Sequence, residues 1–292
     1  MGDYFKGKFK LLRSEFRDDG VCVVTMNHKH PACVMTVQLY LELSQLVIEI
    51  DKDPNIRVFI LKSADPDFFI AHFDVEILAM QVTQGNVPAQ SSPSKGLSGF
   101  HVMCERVKNM DKITIAEVSG RIGGGGCEFA SNFDMRFGLD GKTVINQMEV
   151  PLGILPGGTG TVVWPKLTNR SRALEVIVGG VDVDSKTAVQ WGWLNRSFES
   201  QKRLGDYVSF LGHRIASFSK KAVVNAKRSI MIDLEDTKTN EKKLYEESRL
   251  FAELMNTQEA LSAMKLFLKR GGQTREGELI VSELMTADKS KL

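Results

Sequence analysis

The 292 residues suffice for one large domain, or a domain with an appendage, whose core needs no disulfide or metal staple. With 42% hydrophobic and 25% charged residues the composition is that of an ordinary globular protein, and 38 basic against 36 acidic residues leave a formal charge of +2, which excludes a global field for nucleic acid or membrane. Four scattered cysteines, Cys22, Cys33, Cys104 and Cys127, form no CxxC pair and have no histidines at zinc-ligand spacing, so they read as small buried residues of a reducing compartment and no metal site is expected.

The N-terminal MGDYFKGKFKLLRSEF carries a charge every few residues and lacks an apolar stretch of signal-peptide length. No later segment approaches the ~18 uncharged residues of a membrane span, so neither secretion nor a membrane partner is expected. Residues 21–26 (VCVVTM) and 57–62 (RVFILK) read as strands, separated by a helix over 36–50 with Thr36 as its cap. Residues 81–99, rich in Gly, Ser, Pro and Gln, read as a flexible loop or lid. A third strand at 113–118 runs into glycines at 123–126 and a helix CEFASNFDM; the strand MRFGL and a turn at Asp140-Gly141 follow. From about 170 the texture becomes helical. The pattern predicts an α/β fold, with a core over 1–200 and a helical region over 201–292.

The run GRIGGGGCEF places four glycines between a strand and a helix, where bare backbone approaches a ligand and the first helical N–H groups lack partners. It suits an oxygen that gains negative charge, and equally a phosphate loop or a packing turn, although no Gly-Lys-Ser/Thr follows and the GxGxxG spacing is unmatched. Glu128 lies just inside the helix, where the dipole alone would favour it, and Glu149 lies in the apolar, proline-interrupted NQMEVPLGILPGG, where a surface loop glutamate is the plain alternative. Upstream, DPDFFIAHFDVEIL sets Asp74 as a cap and the Ala71 N–H as a second donor facing the glycines, which together would make an oxyanion hole.

These segments resemble the crotonase (enoyl-CoA hydratase/isomerase) superfamily: FFIAHFD its F-x-x-G-x-D loop, GGGGCEFA its G-G-G-x-E helix start, and NQMEVPLGILPGGTG its Q-P-E-x-x-x-G-x-x-P-G-x-G-G-T stretch. The resemblance implies a spiral of repeated β-β-α units, a C-terminal helical region that builds trimers or hexamers, and an acyl-CoA thioester as substrate with no separate cofactor. It implies Ala71 and Gly125 as the oxyanion-hole donors, Glu128 as the residue that activates water and Glu149 as the acid for C2. Further substrate contacts are implied for His72, Phe73, Asp74, Gly124, Gly126, Pro151 and Gly153, and CoA contacts for Phe267, Lys269 and Arg270 of the C-terminal helix. His72 departs from the family pattern by replacing a glycine, Ile113 replaces a proline and Val34 an asparagine.

Hydration of a 2-enoyl-CoA is therefore the expected activity, with a Δ3,Δ2-enoyl-CoA isomerase as the alternative, since an isomerase works with a single base. An RNA-binding or scaffold role is the alternative outside enzymes, but 36–50 carries no Lys or Arg to support it. Ser290-Lys291-Leu292 has the form read by the peroxisomal import receptor, so a peroxisomal address, with cytoplasm otherwise, is the expectation.

Overall fold

The computed structural model describes residues 3–86, 94–234 and 237–285. Its strands are β1 (Leu12–Phe16), β2 (Val21–Met26), β3 (Val58–Ser63), β4 (Phe68–Ile70), β5 (Ile113–Val118), β6 (Arg121–Gly123), β7 (Met135–Leu139), β8 (Val144–Asn146), β9 (Val183–Asp184) and β10 (Arg196–Phe198). Helices α1 (Val37–Lys52), α2 (Val75–Thr83), α3 (Gly99–Asn109) and α4 (Gly124–Ser131) lie among the early strands, and α5 (Gly160–Leu167), α6 (Arg170–Gly179) and α7 (Ser185–Trp191) follow β8. Helices α8 (Gln201–Ala216), α9 (Lys220–Leu234), α10 (Thr237–Met255), α11 (Gln258–Lys269), α12 (Arg275–Leu279) and α13 (Val281–Met285) come after β10. The anticipated caps are present: Thr36 Oγ1 accepts from Leu39 N at 3.2 Å, and Asp74 Oδ1 from Glu76 N at 3.0 Å.

A six-stranded sheet runs β1-β2-β3-β5-β7-β10, and a four-stranded sheet runs β4-β6-β8-β9. The pairs β3/β4, β5/β6 and β7/β8 each send their first strand to the large sheet and their second to the small one before the chain turns through helix. This is the repeated β-β-α spiral that the resemblance implies. Within the large sheet every pairing except β1 with β2 is parallel. Its inner strands β2, β3 and β5 are buried on both faces, which explains runs such as VCVVTM that do not alternate with polar residues. Val21, Val23, Val58, Ile60 and Phe137 pack with Leu204, Val208 and Ala216 of α8, so α8 sits on the sheet itself. On the opposite face Cys22, Val24, Phe59 and Leu61 meet Leu39, Leu43 and Val47 of α1. All four cysteines are buried and unpaired as disulfides.

The small sheet positions the site. Ile70, Ile122 and Ile145 lie in register across the parallel β4, β6 and β8, and Gly123 pairs with Asn146. The carboxyl ends of these three strands therefore lie side by side. From them emerge 71–74, the start of α4 and the segment 147–149. Five of the strands, β4, β6, β8, β9 and β10, have two or three residues each, too few for any period to show in the sequence. Residues 87–93 of the anticipated 81–99 loop lie outside the described residues, as do Ser290, Lys291 and Leu292. No helix among the described residues is long and apolar enough to cross a membrane.

Candidate active site

A cavity of about 280 Å³ opens where the three strand ends meet, walled by Tyr40, Phe73, Phe100, Ile154 and Phe251, with Gly125, Glu128 and Glu149 also lining it. Tyr40 and Phe100 lie stacked with ring centroids 6.1 Å apart, and Gln81 and Ser98, from the two ends of the 81–99 segment, border the same space. Most of the wall is aromatic or aliphatic. Gln81, Ser98, Ser248 and the two carboxylates supply its polar side chains.

Glu128 stands in α4, 4% exposed. Its Oε1 accepts from the Gly158 and Gly160 amides, each at 2.8 Å, while Oε2 has no partner among the described residues. Burial, and after it the charges of Glu149 and Glu247, hold its pKa well above the carboxylate range, against the pull of those two amides. Glu149 is 8% exposed, and burial pushes its pKa up to about 7, with the His72 charge acting in the opposite direction. With its amide turned so that the NH2 faces the carboxylate, Gln147 donates to Glu149 Oε2 at 2.8 Å and accepts from Trp164 Nε1 at 3.1 Å. Two buried carboxylates beside one cavity hold a single proton between them near neutrality. The two amides on Glu128 Oε1 stabilise its anionic form, without offsetting the burial that opposes it.

One anticipated donor is corrected. The Ala71 N–H is bonded to the Cys33 carbonyl at 3.1 Å, and Ala71 does not border the cavity. Phe73, two residues on, forms a parallel bridge with Met35 in which Met35 N donates to the His72 carbonyl and Asp74 N to the Met35 carbonyl. That pattern turns the Phe73 N–H to the other side of the segment, and it has no acceptor among the described residues. A Cβ on Gly125 would lie 3.8 Å from the Phe73 nitrogen and 3.4 Å from the Phe73 Cβ, so Gly125 and Phe73 are the neighbouring residues. The Gly125 N–H belongs to the first turn of α4, where amides lack helical acceptors.

Other anticipated contacts also sort differently. Gly124, at φ +41°, admits the Glu149 carboxylate: a Cβ there would stand 2.9 Å from its Oε1 and 3.2 Å from the His72 Cβ. Gly126 packs on Ile70, Pro151 on Gly180, and Gly153 on Ala260; none of the three borders the cavity. Asp74 is occupied as the α2 cap and by Gln273 Nε2 at 3.2 Å. Phe267 is buried against His72, edge to face at 5.9 Å, and is closed to a CoA chain; Lys269 is exposed, and Arg270 Nη1 donates to the Leu284 carbonyl.

His72 is 2% exposed and does not line the cavity. Its Nδ1 lies 2.7 Å from the Phe73 carbonyl and its Nε2 3.0 Å from Glu278 Oε1. A carbonyl and a carboxylate only accept, so both ring nitrogens carry protons and the ring is an imidazolium. Burial opposes that charge, but Glu278 outweighs it and raises the His72 pKa. Burial likewise opposes ionisation of Glu278, and His72 with the Gln273 N–H at 2.6 Å holds its pKa below the usual range. The Glu278 share of this stability is present above pH ~4.5 and lost as pH falls through its depressed pKa, while the His72 share is present below pH ~6.5 and lost as pH rises through its raised pKa. Glu278→Gln removes the counter-ion, and an expected loss of about 2 kcal/mol in urea unfolding at pH 6 checks the pairing. An unchanged midpoint would argue against it.

Sequence reasoning passed over Gln147, although it sits two residues before Glu149 in a quoted motif. It also left out Phe100, Tyr40 and Phe251, which carry no local signal, and Glu247 and Glu278, which resemble the solvated glutamates of any charged helix. Among the described residues no cluster suited to a metal ion occurs.

Comparison with known proteins places this geometry. The family model for enoyl-CoA hydratase/isomerase matches residues 17–276. The alpha subunit of the fatty acid oxidation complex of Shewanella sp. strain W3-18-1 is 33% identical over 189 residues, 64% of this chain and 26% of that protein. Its Shewanella putrefaciens counterpart is 32% identical over 221 residues, 74% of this chain and 30% of that one. The chain thus spans less than a third of the length of these curated relatives. A crystal structure from Streptomyces avermitilis superposes with a TM-score of 0.83 at 29% identity, covering 95% of this chain and 97% of that one. The enoyl-CoA hydratase of Bacillus halodurans, at 16% identity, TM-score 0.77 and coverage of 88% and 99%, shares the fold.

Proposed function

The chain belongs to the enoyl-CoA hydratase/isomerase family, and from that premise we propose that it adds water across the 2,3-double bond of an enoyl-CoA thioester to give the 3-hydroxyacyl-CoA. The observation that carries this reading is the meeting of two buried carboxylates, Glu128 and Glu149, with the Phe73 and Gly125 amides at one apolar cavity. Attack of water at C3 moves charge onto the thioester oxygen, and two amides aimed at that oxygen stabilise it by roughly 3–4 kcal/mol each. Glu128, anchored through Oε1, offers Oε2 to the attacking water as base; Glu149, raised to about 7, delivers the proton to C2. The His72 imidazolium lies one residue from the Phe73 amide and holds the Phe73 carbonyl, so it orients the peptide that follows the donor. The aromatic wall suits an apolar acyl group.

A panel of 2-enoyl-, 3-enoyl- and aryl-acyl-CoA thioesters tests the reading. The expected result is loss of the conjugated-thioester absorbance of a 2-enoyl-CoA with incorporation of one solvent oxygen. A 3-enoyl-CoA that gains conjugation, with no oxygen incorporated from any substrate, would instead establish the isomerase.

A further inference from the structure

A third buried carboxylate lies behind Glu128. Glu247 of α10 is 3% exposed and reaches the turn that enters α5. Along that turn consecutive amides alternate in direction. Gly158 and Gly160 donate to Glu128 Oε1, each at 2.8 Å, while Thr159 donates to Glu247 Oε2 at 2.8 Å and Thr161 to Glu247 Oε1 at 2.9 Å. The Thr161 hydroxyl also donates to Glu247 Oε1. Thr159, between the two carboxylates, has φ +110°, a conformation that a β-branched residue adopts only when its surroundings impose it. What imposes it is Glu247 on one side and Asn132 on the other, whose Nδ2 donates both to Thr159 Oγ1 at 2.9 Å and to the Glu128 carbonyl at 2.8 Å.

Glu247 also faces the pocket wall. His101, fully buried in α3 next to Phe100, places Nε2 3.5 Å from Glu247 Oε2, and its Nδ1 lies 2.9 Å from Ser98 Oγ, the cap of α3. We propose that Glu247 is the positioning residue of this site: it holds the strained 158–161 turn that aims Glu128, and through His101 it ties that turn to the helix carrying Phe100. The assignment rests on the hydratase reading for its kinetic consequence but not for its structural one. The titratable groups around Glu247 are His101 and Cys104 from α3, Glu128 from α4, and Glu149. Its negative charge favours protonation of both Glu128 and Glu149.

The test combines steady-state kinetics with amide hydrogen exchange of the 156–163 peptide in the full chain. In Glu247→Gln the expected result is exchange in that peptide at least tenfold faster, kcat lowered ~10- to 100-fold with KM for a short 2-enoyl-CoA within threefold, and both limbs of the pH–rate profile moved to lower pH. Thr161→Val, which removes one hydroxyl donor and keeps the shape of the side chain, carries the test if Glu247→Gln does not fold, with exchange and kcat displaced about threefold in the same directions. Glu247→Asp, which restores the charge without the reach, should return the pH profile but not kcat. Exchange, kcat and pH profile all unchanged in the foldable variants would overturn the proposal. Wild-type protein inert on every thioester, with exchange still accelerated in the variants, would overturn the hydratase reading and leave the positioning role standing.

Discussion

Glu128→Gln lowers kcat for hydration of a 2-enoyl-CoA by about 10³-fold, on the order of 4 kcal/mol of transition-state stabilisation, with KM changed less than about threefold. The glutamine carbonyl can keep the Gly158 and Gly160 amides at Oε1, so the turn and the cavity survive. What the variant lacks is a proton acceptor at Oε2, the oxygen that neither amide holds. Folding should not suffer, because a carboxylate that burial holds well above its ordinary pKa is costly to ionise at neutral pH and the amide removes that cost. Steady-state kinetics paired with thermal unfolding checks both halves. A variant that keeps more than a tenth of wild-type turnover would remove Glu128 from the mechanism.

Glu149→Gln is expected to lower kcat by ~10²- to 10⁴-fold through loss of the acid at C2. The wild-type rate should trace a bell: at low pH a second proton enters the Glu128/Glu149 pair and the base is lost, and as pH rises through about 7 the pair gives up its only proton and the acid is lost. The residual activity of the variant should have no alkaline limb. Stability gives an independent reading of the same group. Because the folded pKa lies above the unfolded value of about 4.5, the folded state binds more protons between the two, and stability falls as pH climbs from about 4.5 through about 7. Glu149→Gln removes that slope, so its Tm relative to wild type should rise between pH 5 and pH 8. A Tm difference that does not move with pH would show that Glu149 ionises in the folded protein as it does in water.

The long elements were legible because each carries its own period or punctuation: the doubly buried strand VCVVTM, the Thr36-capped α1, the Asp74-capped α2. The short strands of the small sheet were not. Yet it is their parallel alignment, Ile70 beside Ile122 beside Ile145, that brings the three motifs to one place. The helical texture after residue 170 was visible, but that α8 covers the large sheet follows only from the packing of Leu204 and Val208.

By itself the sequence carried the class of fold, through strands and helices that alternate along the chain, and pointed to Glu128, Glu149 and Gly125 through motifs that each fill one short window. The tertiary structure alone decided which amide faces Gly125: a bridge to Met35 turns the Phe73 N–H outward and leaves the Ala71 N–H bound to Cys33. It alone joined His72 to Glu278, 206 residues apart, and set Glu247 of a charged helix behind Glu128. The direction of a hydrogen bond and the partner of a buried charge are properties of two distant segments brought together, and no pattern within either segment encodes them.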